Sequence, residues 1–441
     1  MTDKVNTRKL ALTLLTEYEE LGKYVNLSLA SHKLDKLTRE ERAFVTALLY
    51  TTVERKLTYD YYIGAISGRS LDKIDAGVKN ILRLGICQLI DMAGVPSFAA
   101  VNESVKLARN PGERSFINAV LREVDRQRDA LPLPDRYKKP ERYLSIAYSF
   151  PLWMVKRFVS LLGYEGAEQV LSTFNSAKYT DLTVNTTRIS VENFIASLKD
   201  AGYVAHTLDF SPLTVRINSS VDPRYLPGYS SGDFFVQDAA SAASVGVGKA
   251  SAGELLIDVC AAPGGKSFNA AIMMGDAGRV KSFDLHESKI SLISDGARRL
   301  GLSSVSPEVR DGTNPDPSLF GTADVVICDA PCSGLGVLAK KPDIRYRSLD
   351  GLDSLPDIQY SILFSAAKYL KPGGRLVYST CTLNPDENEG VLHRFLESNP
   401  DFYAVDFNIG DWESNGGAFT FYPHIHGTDG FFVALLKKRE I

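Results

Sequence analysis

The sequence predicts an α/β protein in which an open, mostly parallel sheet follows an all-helical domain and a small α+β module. Three observations lead to this prediction. Residues 1–130 carry helical patterns without strand alternation, apolar runs alternate with helical patterns from Phe234 onward, and residues 255–267 have the pattern of a strand, a glycine turn and a helix. Units of this last kind build sheets that bind nucleotide-like cofactors at the carboxyl end of the first strand.

The composition is that of a globular protein with more than one domain. The chain has 441 residues, 44% hydrophobic and 23% charged, and this length is expected to form two or three domains. Glu17, Glu19 and Glu20 close the short apolar stretch near the N-terminus, so we expect no secretory signal. Arg83 and Asp91 interrupt the most apolar helical segment, which excludes a membrane span there. Five cysteines do not indicate a disulfide framework, and we expect a cytoplasmic protein. We also expect a monomer.

Residues 1–140 are predicted to form the all-helical domain, in which Thr38 and Glu41 have the spacing of a capping box. This part holds 23 lysines and arginines against 18 aspartates and glutamates, although the whole chain has a net charge of −3. Basic residues recur at Lys106, Arg109, Arg114, Arg122, Arg126, Arg128, Arg136, Lys138, Lys139 and Arg142. Such a run is typical either of a solvated helix face or of an RNA-binding surface.

Prolines separate this block from a second predicted domain at 145–235. Pro132, Pro134 and Pro140 cannot lie inside a continuous helix. Pro151 then opens a helix that carries Trp153, and strand-like segments follow at 179–189, 203–210 and 213–217. We interpret the region as a small α+β module and Trp153 as a core residue rather than a platform for a base.

Residues 236–441 are predicted to form the sheet domain. Strands are expected at 255–259, 279–284, 305–310, 324–329, 375–380 and 430–437, and helices at 266–274, 287–300, 355–370 and 388–398. This alternation is typical of a Rossmann-like fold, in which ligands bind at the carboxyl ends of the strands.

The turn after the first strand is the predicted cofactor loop. Gly264 and Gly265 carry no β-carbon, so a ligand can lie against the backbone, and the following helix directs its first N–H groups at the turn. Asp284 ends the second strand and is predicted to accept ribose hydroxyls, or else to cap a helix together with Glu287. Asp311 follows the third strand and is predicted to bind an adenine amino group, or else to make an Asp-Gly turn.

Two further strands each deliver a cysteine, Cys332 in DAPCSG and Cys381 in STCTL. Because the carboxyl ends of parallel strands share one edge, both thiols should face the same crevice. A thiolate is a nucleophile that can divide one difficult step into two easier ones through a covalent intermediate. The alternatives are buried structural cysteines, as expected for Cys328, a zinc site or a disulfide. The spacing lacks a second metal-binding pair and a reducing compartment disfavours a disulfide, so we expect no metal.

The motifs CAAPGGK, DAPCSG and STCTLNP together resemble those of the Sun-type RNA cytosine-5 methyltransferases. The resemblance implies S-adenosylmethionine as the cofactor, Cys381 as the nucleophile, Cys332 as the residue that assists release of the methylated RNA, and Asp329 as a further catalytic residue. In such an enzyme a thiolate adds to carbon 6 of cytosine, which makes carbon 5 nucleophilic. Asp329 would donate to ring nitrogen 3 if burial raises its pKa and keeps it protonated. It implies cofactor contacts at Cys260, Ala261, Ala262, Pro263, Gly264, Gly265, Lys266, Asp284, Asp311 and Asp329.

The two N-terminal regions carry looser resemblances. Residues 1–140 resemble the helical RNA-binding domain of the antitermination factor NusB in pattern and length, and 145–235 resembles the small RNA-recognition-like domain of the Sun-type family. A long helical block of this type implies 16S ribosomal RNA as the substrate and partner. Residues 340–346 match the family's basic-Pro-Asp segment, with Tyr346 where relatives often have tryptophan.

Three rival functions remain at this point. A transfer-RNA cytosine-5 methyltransferase would use the same chemistry on another RNA. A non-catalytic RNA-binding assembly protein would have no need of both cysteines. An NAD-dependent oxidoreductase is disfavoured because the chain lacks GxGxxG in its first turn.

Overall fold

The computed structural model describes residues 5–22, 25, 28–29, 34, 37–176, 179–347 and 351–440. Its internal contacts divide the chain into two compact units, Met1–Asn175 with Leu338–Arg347 and Ser176–Val337 with Ser348–Ile441. Within the described ranges, none of the helices combines the length and the apolar character needed to span a membrane.

The first unit is helical, as predicted, and the capping box at Thr38 and Glu41 is formed. Its apolar core joins the buried faces of several helices through residues such as Leu48, Leu82 and Leu121. Trp153, predicted to be a core residue, is only partly buried. The helices are α1 (Thr7–Leu21), α2 (Arg39–Glu54), α3 (Lys56–Ser67), α4 (Ala76–Ile90), α5 (Ser97–Val105), α6 (Pro111–Arg126), α7 (Pro140–Tyr148) and α8 (Leu152–Ser176), the last broken at Gly163.

Residues Leu338–Arg347, which contain the basic-Pro-Asp segment, belong to this helical unit. Arg345 is fully buried, with its guanidinium carbon 3.9 Å from the centroid of the Phe150 ring and its Nη1 donating to the Glu54 carbonyl at 3.2 Å. The Tyr346 hydroxyl lies 3.0 Å from Ser149 Oγ. These contacts give Tyr346 a structural role inside the unit.

The second unit begins with a small α+β module. The helix α8 (Leu152–Ser176), which the sequence pattern assigns to this module at 145–235, lies almost entirely in the first unit. The four antiparallel strands of the module lie in the order β2-β3-β1-β4. A buried ion pair joins its two inner strands, with Arg216 Nε 2.6 Å from Asp181 Oδ1. The elements are β1 (Thr180–Val184), α9 (Val191–Asp200), β2 (Ala205–Leu208), β3 (Ser211–Ile217) and β4 (Phe234–Val236).

The rest of the second unit is an eight-stranded sheet flanked by helices. The strand order is β10-β14-β9-β8-β5-β6-β7, with β13 paired to β14; β5 to β9 run parallel, and β10, β13 and β14 add antiparallel pairings. The predicted strands and helices are all present within a few residues. The elements are α10 (Ala239–Val247), β5 (Leu255–Asp258), α11 (Gly265–Met273), β6 (Arg279–Asp284), α12 (Glu287–Leu300), β7 (Val305–Val309), β8 (Ala323–Asp329), α13 (Leu355–Ala367), β9 (Leu370–Thr380), α14 (Glu389–Ser398), β10 (Phe402–Ala404), β11 (Asn408–Ile409), β12 (Trp412–Glu413), β13 (Ala418–Phe421), α15 (Pro423–His426) and β14 (Phe431–Lys438).

Two apolar clusters cover the two faces of this sheet. Along β8, Val325 and Ile327 belong to one cluster while Val326 and Cys328 belong to the other, as the alternation of side chains in a strand requires. Burial on both faces explains why the central strands are continuously apolar. Asp258, Asp284 and Asp329 are each the last residue of a central strand, and the carboxyl ends of β5, β6, β8 and β9 form one edge.

Candidate active site

The predicted cofactor loop connects β5 to α11 at the centre of this edge. Gly264 has φ of +113°, and a Cβ there would lie 2.3 Å from Cζ of Phe268. A side chain at Gly265 would meet its nearest neighbour, Gln237, at 3.5 Å. Gly264 is therefore required by the turn itself. No side chain caps the start of α11, so its first N–H groups point at the edge without a capping partner.

Asp258, at the end of β5, holds this loop in place through hydrogen bonds. It is fully buried and accepts a hydrogen bond from Ser267 Oγ at 2.8 Å, and Ser282 Oγ donates to Ser267 Oγ at 2.8 Å. Burial raises the pKa of the Asp258 carboxyl to about 7, against the lowering effect of the Ser267 hydrogen bond and the Lys266 charge. The chain of bonds ties β5, α11 and β6 together under the loop.

Lys266, predicted to contact the cofactor, reaches the end of β8. Its Nζ lies 2.6 Å from Asp329 Oδ2 and 2.9 Å from Ser241 Oγ, and it sits 5.0 Å from the centroid of the Phe431 ring. The other oxygen of Asp329 accepts from Ser379 Oγ at 2.8 Å. Asp329, to which the sequence assigns a catalytic role that depends on burial, has a side chain that is 30% exposed and paired with an ammonium group.

The two other predicted cofactor acids end or follow neighbouring strands. Asp284 is buried at the end of β6, accepts from the His286 N–H at 3.1 Å and lies 3.6 Å from Lys289 Nζ. The alternative helix cap is wrong, since α12 has His286 as its cap residue without a side-chain cap bond. Asp311 is exposed, and its side chain accepts a hydrogen bond from the Thr313 N–H at 2.8 Å. This bond is the one expected for the alternative role, in which Asp311 makes an Asp-Gly turn.

Cys332 and Cys381 are brought together as the sequence predicts. Their Sγ atoms are 3.2 Å apart, beyond the ends of the adjacent parallel strands β8 and β9, and both residues are partly buried and reduced. The pKa of the Cys332 thiol is raised well above its usual value, first by the hydrogen bond with Cys381 and then by burial. Either thiol can be the donor in this contact, so the two sulfurs are placed to share a proton.

The remaining predicted alternatives receive no support as reaction partners. Cys328 is fully buried on β8, where burial raises the pKa of its thiol well above its usual value, and burial likewise raises the pKa of Cys260. Such thiols are poor nucleophiles. Among the residues that the structure describes, no group of His, Cys, Asp and Glu side chains could hold a metal ion. The histidine side chain of His426 accepts a hydrogen bond from the Tyr422 N–H at 2.8 Å and packs edge-on against Trp412.

Two functional features could not be found from sequence patterns. One is the Lys266–Asp329 ion pair, which joins the loop after β5 to the end of β8. The other is Glu387, a fully buried acid whose carboxylate accepts two hydrogen bonds from Ser333, next to Cys332. In the sequence, the only indication of a role for Glu387 is its position six residues after Cys381. The segment around it is rich in polar and charged residues, which are usually exposed.

Family models match the chain along most of its length. The model described as 16S rRNA methyltransferase RsmB/F matches residues 247–437. The NusB family model matches residues 5–126, and the model of the ferredoxin-like domain of RsmF/B-like methyltransferases matches residues 150–223. These matches confirm the predicted fold class and the predicted resemblance.

Whole-chain relatives agree with this division. The chain is 32% identical over 449 residues to the probable ribosomal RNA small subunit methyltransferase B of Bacillus subtilis strain 168, covering 99% of each protein. It is 30% identical to ribosomal RNA small subunit methyltransferase B of Klebsiella pneumoniae strain 342, covering 100% of each. The crystal structure of PH0851 aligns with a TM-score of 0.82 and 25% identity over 99% of each chain.

Proposed function

Since the chain belongs to the RsmB/F family of ribosomal RNA small subunit methyltransferases, we propose that it methylates carbon 5 of a cytosine in 16S ribosomal RNA, with S-adenosylmethionine as donor. The observation that carries this proposal is the pair of thiols 3.2 Å apart beyond two adjacent strand ends. A covalent cytosine mechanism needs one thiolate to attack and one group to assist release, and this pair supplies both.

The residues of the sheet edge fit the proposed donor. The uncapped start of α11 offers N–H groups to a carboxylate, such as that of the methionine moiety. The buried Asp284 carboxylate at the end of β6 suits two ribose hydroxyls. When bound, S-adenosylmethionine supplies a methyl group on a positively charged sulfur. We assign residues 260–266, Asp284, Asp311 and Asp329 to its binding, as the sequence predicts.

Cys381 is the proposed nucleophile. Its sulfur lies 3.2 Å from that of Cys332, and either thiol can be the donor in this contact. In the proposed reaction Cys332 donates, which stabilises negative charge on Cys381 before attack. The Cys381 sulfur then forms a bond to carbon 6, and the electrons of the 5,6 double bond move toward carbon 5 and the ring. The Lys266 ammonium, held by Asp329 at 2.6 Å, offers positive charge at the end of β8. Donation from Asp329 to ring nitrogen 3 stays a prediction from the sequence; in this structure the Asp329 side chain pairs with the Lys266 ammonium.

Cys332 is the proposed base for release. The hydrogen bond to Cys381 is the largest cause of its raised pKa. Once Cys381 sulfur is bonded to carbon 6, it no longer carries the charge that holds the Cys332 proton. After the methyl group has been transferred to carbon 5, Cys332 releases its own proton to solvent and, as a thiolate, takes the proton of carbon 5. The electron pair of that C–H bond reforms the 5,6 double bond, and the bond between carbon 6 and Cys381 breaks with its electron pair returning to the Cys381 sulfur.

Bisulfite sequencing of ribosomal RNA tests the proposed function. We expect one cytosine of 16S ribosomal RNA to resist conversion in the parent strain, to convert in a strain that lacks the gene, and to resist again when the gene is restored. Restoration with Cys381→Ala should fail. An unchanged 16S pattern in the deletion strain would contradict the proposal, and a change confined to transfer RNA would favour the transfer-RNA alternative.

A further inference from the structure

Glu387 is a buried acid that the reaction scheme above does not use. Glu387 is fully buried and lies in the segment between the end of β9 and the start of α14. Burying a carboxylate is costly unless hydrogen bonds replace its lost hydration. Glu387 makes four: Oε2 accepts from Ser333 N at 2.8 Å and Gln359 Nε2 at 2.9 Å, and Oε1 accepts from Ser333 Oγ at 2.6 Å and Asn384 Nδ2 at 2.9 Å.

The first group of these bonds fixes the backbone on both sides of Cys332. Ser333, the residue after Cys332, gives Glu387 both its backbone N–H and its hydroxyl. Gln359 on α13, which donates to the same carboxylate, also donates to the carbonyl of Pro331 at 3.0 Å. The loop that carries Cys332 is therefore held from both sides by one carboxylate and one amide.

The second group reaches the segment that carries Cys381. Ser333 Oγ lies 2.7 Å from Thr382 Oγ1, in the residue after Cys381. Asn384, the fourth donor to Glu387, also donates its backbone N–H to Thr382 Oγ1 at 3.2 Å. One carboxylate thus connects the two segments whose sulfurs are 3.2 Å apart.

We propose that Glu387 is a positioning residue that keeps the sulfurs of Cys332 and Cys381 within hydrogen-bond distance. Its catalytic consequence rests on the proposed function, because proton exchange between the two thiols matters only if Cys381 attacks and Cys332 assists release. The geometric part stands on the hydrogen bonds alone. Glu387→Gln exchanges one acceptor oxygen for an N–H donor that would face two donors, and the loop of Cys332 must move to avoid them.

Oxidation of the thiols by diamide measures their proximity without RNA or cofactor. The two thiols lose two protons and two electrons to diamide, and a sulfur–sulfur bond forms between them. We expect Glu387→Gln to form the Cys332–Cys381 disulfide at least tenfold more slowly than the wild-type protein, as followed by mass spectrometry of the linked peptides. The matched control is Glu397→Gln, the same change at an exposed acid of α14, which should oxidise at the wild-type rate.

Circular dichroism and thermal unfolding establish that each variant is folded. If Glu387→Gln does not fold, Ser333→Ala decides instead, because it removes the hydroxyl that joins Glu387 to Thr382. It should slow disulfide formation at least threefold. A folded Glu387→Gln, or failing that Ser333→Ala, that oxidises at the wild-type rate would overturn the proposal.

A second readout separates this inference from the proposed function. With substrate RNA and S-adenosylmethionine, folded Glu387→Gln should form and resolve a covalent RNA adduct at least tenfold more slowly than the wild-type protein and the Glu397→Gln control. If the wild-type protein neither forms an adduct nor methylates the RNA, the proposed function fails while the diamide result still decides the position of Glu387. If the wild-type protein forms an adduct and Glu387→Gln matches it in both measurements, the inference about Glu387 fails alone.

Discussion

Asp258 shows how one buried acid makes the stability of the second unit depend on pH. It is fully buried, and burial raises the pKa of its carboxyl from an ordinary value of 3.8 to about 7. Between these two values the folded protein holds a proton that the unfolded chain has released. The stabilising contribution is therefore complete below about pH 4 and is lost as the pH rises through about 7.

Asp258→Asn should remove this dependence, because the amide stays neutral and its oxygen can still accept from Ser267. Relative to the variant, the wild-type protein should lose stability as the pH rises from about 4 to about 8, by on the order of 4 kcal/mol. Urea unfolding midpoints measured across this range test the prediction. A constant difference between the two proteins would show that Asp258 does not titrate there.

Asp284 is the residue on which the proposed cofactor site depends most. Asp284→Ala should weaken binding of S-adenosylmethionine by about 1–3 kcal/mol, because two ribose hydroxyls would lose their acceptor. Isothermal titration calorimetry without RNA measures this loss. Asp295→Ala removes an exposed acid from α12 and should bind as the wild-type protein does. Equal affinity in both variants would remove Asp284 from the site.

At the scale of elements, the loop between β5 and α11 depends on Gly264. Its φ of +113° disfavours any side chain, and a Cβ would overlap the Phe268 ring at 2.3 Å. Gly264→Ala should destabilise the protein by about 2–4 kcal/mol, since backbone strain and overpacking add. Equilibrium unfolding in urea gives the value.

Gly253→Ala is the matched control for this prediction. Gly253 has φ of +83°, but a Cβ there would meet nothing within 4 Å. Gly253→Ala should lower the free energy of unfolding by about 1–2 kcal/mol, the cost of the left-handed backbone conformation alone. Equal losses in the two variants would mean that the contact with Phe268 adds nothing.

The strands and their ends could be predicted because local residues determine them. Buried parallel strands need apolar side chains on both faces, and the sequence between Val325 and Cys328 shows this directly. Residues at or just after the ends of such strands were therefore predicted to lie at one edge of the sheet. These residues are Asp284, Asp329, Cys332 and Cys381.

Features that depend on distant partners could not be predicted. The ion pair of Asp329 is made with Lys266, 63 residues earlier. The burial of Glu387 follows from donors on Ser333 and Gln359, which no local pattern connects to it. The helical unit likewise includes Leu338–Arg347, because Arg345 is buried there against Phe150.

On the scale of the whole molecule, charge is divided unevenly along the chain. Residues 1–140 carry an excess of basic residues, whereas the net charge of the full chain is −3. Within the helical unit, Arg114, Arg122 and Lys138 are all exposed. Exposed cations that contact phosphates release counterions on binding, which makes RNA affinity fall with salt.

A triple variant with Arg114, Arg122 and Lys138 changed to Gln should bind ribosomal RNA more weakly and with a smaller salt dependence. If each residue contacts one phosphate, the slope of log affinity against log salt should fall in magnitude by about 2–3. Filter binding over a series of salt concentrations measures the slope. The full chain is used because deletion of the N-terminal residues would leave Arg345 without the Glu54 carbonyl that it donates to.

The control for this prediction changes three exposed arginines of the second unit to Gln: Arg279, Arg298 and Arg394. It alters the net charge by the same amount. If both triple variants reduce the slope equally, the basic residues of the helical unit act only through overall charge, and they form no RNA-binding surface.

In the proposed reaction Cys381 attacks the base and Cys332 assists release, and one denaturing gel distinguishes these two roles. Each single alanine variant is incubated with substrate RNA and S-adenosylmethionine, and the gel shows whether RNA stays attached to the protein. Cys332→Ala should accumulate a retarded band, because attack through Cys381 proceeds while elimination stalls. Cys381→Ala should give no band and no methylation. A retarded band in Cys381→Ala and none in Cys332→Ala would reverse the two roles, and full methylation without adduct in both variants would contradict the covalent mechanism.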